Sequence, residues 1–211
     1  MATLIGKFIA LDGIDGCGKG TQTKLLSDFL TKKGYNVVNK KYPEYGQPIG
    51  NLIHDFLYKK FNPNLSAELL LYSADHLKDK EYIQDCLKNG KIVLADRYFT
   101  STLAYQFLKG VPKEKILKIT ELMEAPCPDL CLLIKISSET SLARKSKEKS
   151  GNLDRHEEDL QFQKKLAETF EKMAQEKTYC DWEIVDGEQS IENVFFQITE
   201  ILNKRFNNLI N

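Results

Sequence analysis

The stretch Gly13-Ile14-Asp15-Gly16-Cys17-Gly18-Lys19-Gly20-Thr21 gathers the residue types that hold a phosphate. Glycines let a backbone wrap until successive N–H groups point at one anion. A lysine closing such a loop brings a full charge to the phosphate being transferred. The run Lys7-Phe8-Ile9-Ala10-Leu11 before the loop reads as a short buried strand. Thr21 to Lys33 after it carries Leu25, Leu26, Phe29 and Leu30, a helical stripe that Gly34 ends. That context separates a phosphate loop from a glycine turn with a surface lysine, because the helix N-terminus adds its dipole to the loop amides.

A second candidate group is Asp96-Arg97-Tyr98, directly after the apolar run Ile92-Val93-Leu94-Ala95. A carboxylate at the C-terminal end of a parallel strand is well placed for the water shell of Mg²⁺ or for an attacking phosphate oxygen. Arg97 offers a planar fork that grips a phosphate. A helix cap plus a surface charge is the plain alternative, and the nearby phosphate loop argues against it. A third group is Arg144-Lys145-Ser146-Lys147-Glu148-Lys149, followed by Leu153-Asp154-Arg155. Most of its lysines read as a solvated helix face.

Composition narrows the partners. The chain has 211 residues, 42% hydrophobic and 28% charged, the proportions of a globular protein. Lys and Arg number 30 and Asp and Glu 30, so no basic excess marks a nucleic-acid or anionic-membrane surface. The N-terminal residues show no signal peptide pattern and no long apolar run occurs, which predicts a cytoplasmic protein with no membrane partner. The 5 cysteines form no metal-ligand or disulfide framework and read as free thiols.

Further elements follow the same periodicities. Strands are predicted from Val37 to about Tyr42, over Ile92–Ala95, Leu130–Ile136 and Trp182–Val185. Helices are predicted over Ile49–Tyr58, as one long element from Leu65 to Lys88, as a pair between Ser101 and Glu124, and from Ser138 to Lys145. Two more are predicted over Glu157–Lys177 and Ile191–Phe206. The alternation predicts an α/β fold: a five-stranded parallel sheet with helices on both faces, in one domain over 1–211.

Gly20 stands where most phosphate loops put the Ser or Thr that meets Mg²⁺. Gly18-Lys19-Gly20-Thr21-Gln22 resembles the loop of adenylate kinase and related nucleoside monophosphate kinases. That resemblance implies a metal held largely through water, with Thr21 meeting nucleotide phosphates. A longer resemblance, to thymidylate kinases, runs through Tyr42-Pro43-Glu44-Tyr45-Gly46-Gln47 and Leu71-Tyr72-Ser73-Ala74-Asp75-His76. It continues through Asp96-Arg97-Tyr98, Ser101-Thr102, Ala104-Tyr105-Gln106, Pro128-Asp129-Leu130 and Leu153-Asp154-Arg155.

The resemblance implies a P-loop NTPase-type three-layer fold, ATP as donor, dTMP as acceptor, Mg²⁺ and a homodimer. Donor residues would be Gly13, Asp15, Gly16, Cys17, Gly18, Lys19, Gly20, Thr21 and Arg144, the last stacking on the adenine. Asp15 would approach the acceptor 3′-hydroxyl, Tyr72 would stack on the base, and Tyr105 would lie under the sugar. Arg97 and Tyr45 would hold the acceptor phosphate, with Thr102 facing the pyrimidine edge and Ser101, Gln106 and Pro43 nearby; Pro43 would follow a cis peptide bond. Taken singly, Tyr72 and Tyr105 read as core aromatics. Cys17 would fill space and be oxidation-sensitive. Catalysis would rest on Lys19, Asp96, Arg97 and Arg155, with Asp96 and Thr21 near the metal. Arg155 would belong to a LID segment near 145–157, with Lys147 and Lys149 in reserve.

His76 departs from the family, which has Arg there. A histidine keeps a hydrogen-bond donor but no permanent charge. The alternatives to a dTMP kinase are a kinase of another or several deoxynucleoside monophosphates, through His76, and a nucleotide-binding module without catalysis.

Overall fold

Phe8, Ile9, Ala10 and Leu11 are fully buried in strand β1, Lys7–Asp12, at the centre of the sheet. The computed structural model describes residues 6–148, 156 and 159–206. Helix α1 spans Lys19–Lys32, β2 Val37–Lys41, α2 Pro48–Leu57 and α3 Leu65–Leu77. Then come α4 Lys80–Lys88, β3 Ile92–Asp96, α5 Phe99–Leu108 and α6 Lys113–Leu122. The rest is β4 Leu130–Lys135, α7 Ser138–Glu148, α8 Leu160–Gln175, β5 Trp182–Asp186 and α9 Ile191–Arg205.

The five-stranded sheet has the order β2-β3-β1-β4-β5, and every pairing is parallel. Strands β1, β3 and β4 carry near-continuous apolar runs because helices cover the sheet, leaving no solvent face to alternate with. Leu11 of β1 faces Asp96 of β3, so the chain leaves both strands at one level. The phosphate loop and Arg97 therefore start side by side, in the crevice beyond the carboxyl ends of parallel strands where ligands bind.

The long helix predicted from Leu65 to Lys88 is two helices, broken at Lys78 and Asp79. The Asp79 carboxylate is engaged by the Tyr42 hydroxyl at 2.9 Å, Lys40 at 2.9 Å and Lys78 at 3.0 Å. Those partners hold its backbone at φ −100, ψ 2, outside the helix. In α1 the stripe is narrower than the spacing implies: Leu26 and Leu30 are buried, while Leu25 is exposed. Helix α7 runs on through Lys147 to Glu148, past the predicted end at Lys145.

Candidate active site

The loop between β1 and α1 is shaped by its glycines. A Cβ on Gly13 would lie 2.6 Å from the Ile134 carbonyl oxygen and 2.9 Å from Cys17 Sγ, so only glycine fits there. Gly18 caps α1 at φ 97, a left-handed conformation, and no side chain covers that helix start. Buried Lys19 curls back over the loop, its Nζ donating to the Gly13 and Ile14 carbonyls at 3.0 Å each and to Cys17 Sγ at 3.4 Å. Gly20 and Thr21 are exposed at the helix start, and a Cβ on Gly20 would be 3.5 Å from Asp96 Oδ2. No hydrogen bond occupies the Asp96 carboxylate among the described residues. A carboxylate facing a residue without a side chain leaves room for a hydrated cation, so Asp96, Gly20 and Thr21 fit a water-mediated Mg²⁺.

Arg97 joins the loop to the sheet. Its backbone is left-handed, φ 70, and its N–H donates to the Leu11 carbonyl at 3.0 Å. Nη1 donates to Ser101 Oγ at 3.0 Å and Gly13 O at 3.3 Å, and Nη2 donates to Asp15 Oδ1 at 2.6 Å. The Tyr105 hydroxyl donates to Asp15 Oδ2 at 3.4 Å, and the Arg97 guanidinium lies 5.5 Å from the centre of the Tyr105 ring. Burial works to raise the Asp15 carboxyl, but the charges of Arg97, Lys19 and Lys145 outweigh it and hold it well below the usual carboxylate range. Burial opposes the Arg97 charge too, and Tyr105, Asp15, Asp12 and Asp96 more than restore it.

Asp12, which the sequence reading passed over, anchors this group from below. It is fully buried and accepts from Thr100 Oγ1 at 2.7 Å, Ser101 Oγ at 2.6 Å and the Gly13 N–H at 3.0 Å. Burial pushes its carboxyl upward against Arg97 and those hydroxyls. Its signal was present in the sequence as a carboxylate ending an apolar strand at the loop.

A cleft opens beside the loop. Asp15, Pro43, Tyr45, Tyr72, His76, Arg97, Ser101, Thr102, Tyr105 and Gln106 all line it. The structure thus brings together every residue assigned to the acceptor. It adds Tyr42, Leu57 and His156, for which the sequence held only an apolar or aromatic character. The Tyr42–Pro43 peptide bond is cis.

His76 is buried, with Nε2 3.0 Å from Thr102 Oγ1 and its ring packed against Tyr42, Tyr98 and Phe99. Burial, helped by the Lys78 charge, pushes it down to about 3, so the ring is neutral at neutral pH.

Helix α7 packs against the phosphate loop. Ser141 Oγ donates to the Asp15 carbonyl at 2.6 Å. Arg144 donates to the Gly16 carbonyl at 3.3 Å and the Gly187 carbonyl at 3.0 Å, bridging loop and β5 end. Arg155, Lys149 and most of the 145–157 segment lie outside the described residues.

A phosphate loop leaving the central strand of a parallel sheet, with a second cleft sharing Asp15 and Arg97, defines a P-loop nucleotide phosphotransferase. A family model described as thymidylate kinase matches residues 11–198. A thymidylate kinase of Thermoanaerobacter sp. (strain X514) is 34% identical over 205 residues, covering 94% of this chain and 98% of the relative. One from Prochlorococcus marinus (strain MIT 9312) is 35% identical, covering 96% and 98%. The solved thymidylate kinase of Candida albicans, for which a broad substrate specificity is described, superposes with a TM-score of 0.77 at 29% identity, covering 98% and 94%. The chain belongs to the thymidylate kinase family, enzymes that phosphorylate dTMP with ATP.

Proposed function

We propose that this chain, acting as one domain, carries out the family's reaction with the residues assigned above: ATP plus dTMP gives ADP plus dTDP, on the route to dTTP. The carrying observation is the sharing of Asp15 and Arg97 between the loop and the lined cleft. The loop amides and Lys19 hold the donor phosphates, and Arg144 braces the loop. Arg97 and Tyr45 hold the acceptor phosphate, Tyr72 and Tyr105 pack on base and sugar, and Asp15 meets the 3′-hydroxyl.

An acceptor phosphate oxygen forms the new bond to the γ-phosphorus while the bond to the β–γ bridging oxygen breaks. That acceptor oxygen is already ionised near neutrality, so no protein base is needed and positioning with positive charge supplies the rate. Asp96, with Thr21 nearby, would hold Mg²⁺ through water, and the ion would offset phosphate charge. Arg155 supplies the closing positive charge of the LID, with Lys147 and Lys149 as reserves.

Among the described residues no helix is long and apolar enough to cross a membrane. We place the enzyme in the cytoplasm, as a homodimer built on helices, in line with the family resemblance; light scattering would read the dimer. ADP release with ATP and Mg²⁺ across dTMP, dUMP, dCMP, dGMP, dAMP and UMP tests the reaction. dTMP is expected to be turned over best, and no acceleration by any acceptor would overturn the assignment.

A further inference from the structure

Gln106 is fully buried and lines the acceptor cleft. Its Nε2 donates to Glu68 Oε1 at 2.8 Å, while its Oε1 is buried with no hydrogen-bond partner among the described residues. A side-chain amide can be turned over, exchanging donor and acceptor. Here the reversed amide would set its oxygen against the Glu68 carboxylate, two acceptors with no proton between them. Glu68 is fixed in turn. Lys109 Nζ donates to the same Oε1, donates to His156 Nε2 at 3.2 Å, and lies 5.4 Å from the centre of the Phe56 ring. Glu68 and Lys109 stand behind the cleft wall rather than in it.

The His76–Thr102 pair on the same wall has no such direction. A neutral imidazole and a hydroxyl exchange roles freely, so His76–Thr102 can offer a ligand either a donor or an acceptor. Of these two, the Gln106 oxygen is the one whose polarity is set by a charge.

We propose that Glu68 and Lys109 are the positioning residues that determine base selection: by locking the Gln106 amide they present an obligate acceptor to the pyrimidine N3. The site then takes bases carrying a proton at N3, the 4-oxo pyrimidines, and rejects 4-amino ones, whose N3 is a lone pair facing a lone pair. This rests on the acceptor assignment above. His156 is bonded to the same ammonium.

The test compares dTMP with 5-methyl-dCMP, which keeps the methyl, sugar and phosphate and differs at N3 and position 4. The wild-type chain is expected to favour dTMP by ~100-fold or more in kcat/KM, because a site built to receive an N–H rejects the analogue lacking it. In Glu68→Gln the two amides pair in either sense, and the ratio is expected to fall by ~10-fold or more with the KM for ATP unchanged. Lys109→Met should lower the ratio in the same direction. A wild-type ratio retained in the folded variants overturns the proposal. So does equal binding of dTMP and N3-methyl-dTMP by the wild-type chain, a measurement that needs no variant to fold. No turnover of dTMP would sink the reaction and this inference together; turnover with an unmoved ratio sinks the inference alone.

Discussion

Arg97 Nη2 lies 2.6 Å from Asp15 Oδ1, so the residue after β3 and the phosphate loop are joined by one charged hydrogen bond across 82 positions of sequence. The same guanidinium reaches Ser101 and the Gly13 carbonyl. Arg97 adopts φ 70, a conformation that costs a non-glycine residue roughly 1–2 kcal/mol. The Leu11 carbonyl and the acid pair Asp12–Asp15 hold it there.

A lysine at position 97 keeps the charge and loses the planar fork. Arg97→Lys is expected to reduce kcat/KM for the acceptor by ~100-fold, and Lys19→Ala to reduce turnover by ~1,000-fold or more. Both should retain the wild-type circular dichroism. Steady-state rates equal to wild type would remove the residue concerned from the phosphate grip.

His76 makes stability pH-dependent. Its folded pKa is pushed down to about 3 from 6.5, so the unfolded chain binds the proton more readily. The stability contribution is fully present above pH 6.5 and is lost as pH falls toward 3. The expected slope is ~1.4 kcal/mol per pH unit within that window. Urea unfolding of wild type and His76→Gln at pH 7, 6 and 5 checks this. The difference between them should narrow steadily toward acid, and a constant difference would remove His76 as the source.

The Asp96 carboxylate accepts no hydrogen bond among the described residues and faces Gly20. Asp96→Asn keeps the shape and removes the negative charge that attracts a hydrated cation. The Mg²⁺ concentration for half-maximal turnover is expected to rise by ~10-fold, with dTMP binding little changed. An unchanged Mg²⁺ titration would move the metal elsewhere.

Gly13→Ala would place a Cβ 2.6 Å from the Ile134 carbonyl in a backbone of φ +141. The loop must then leave β4, at a stability loss of ~3 kcal/mol or more. ATP binding should be lost with it. Calorimetric binding of ATP at wild-type affinity would contradict the close approach drawn here.

The strand, loop and helix around Lys19 were legible because their signals are local: an apolar run, turn glycines and a helical stripe. The cleft residues were legible through motif resemblance, and all of those assigned to the acceptor line it. Asp12, Glu68, Lys109 and His156 were not. Their meaning lies in partners 88 residues away for Asp12–Thr100, 41 for Lys109–Glu68 and 47 for Lys109–His156. Periodicity also ran the α3 and α4 pattern together, because the interruption comes from Tyr42 and Lys40 gripping Asp79, not from a glycine or proline.

The pairing of Leu11 with Asp96 makes nucleotide binding a gauge of correct folding. A slip of one residue between β1 and β3 would part Arg97 from Asp15 by about 3.3 Å and turn the strand's side chains to the opposite face. Such a chain could still be compact, yet it would hold neither phosphate group properly. A nucleotide that needs both groups would therefore stabilise the correctly registered chain and not its near neighbours.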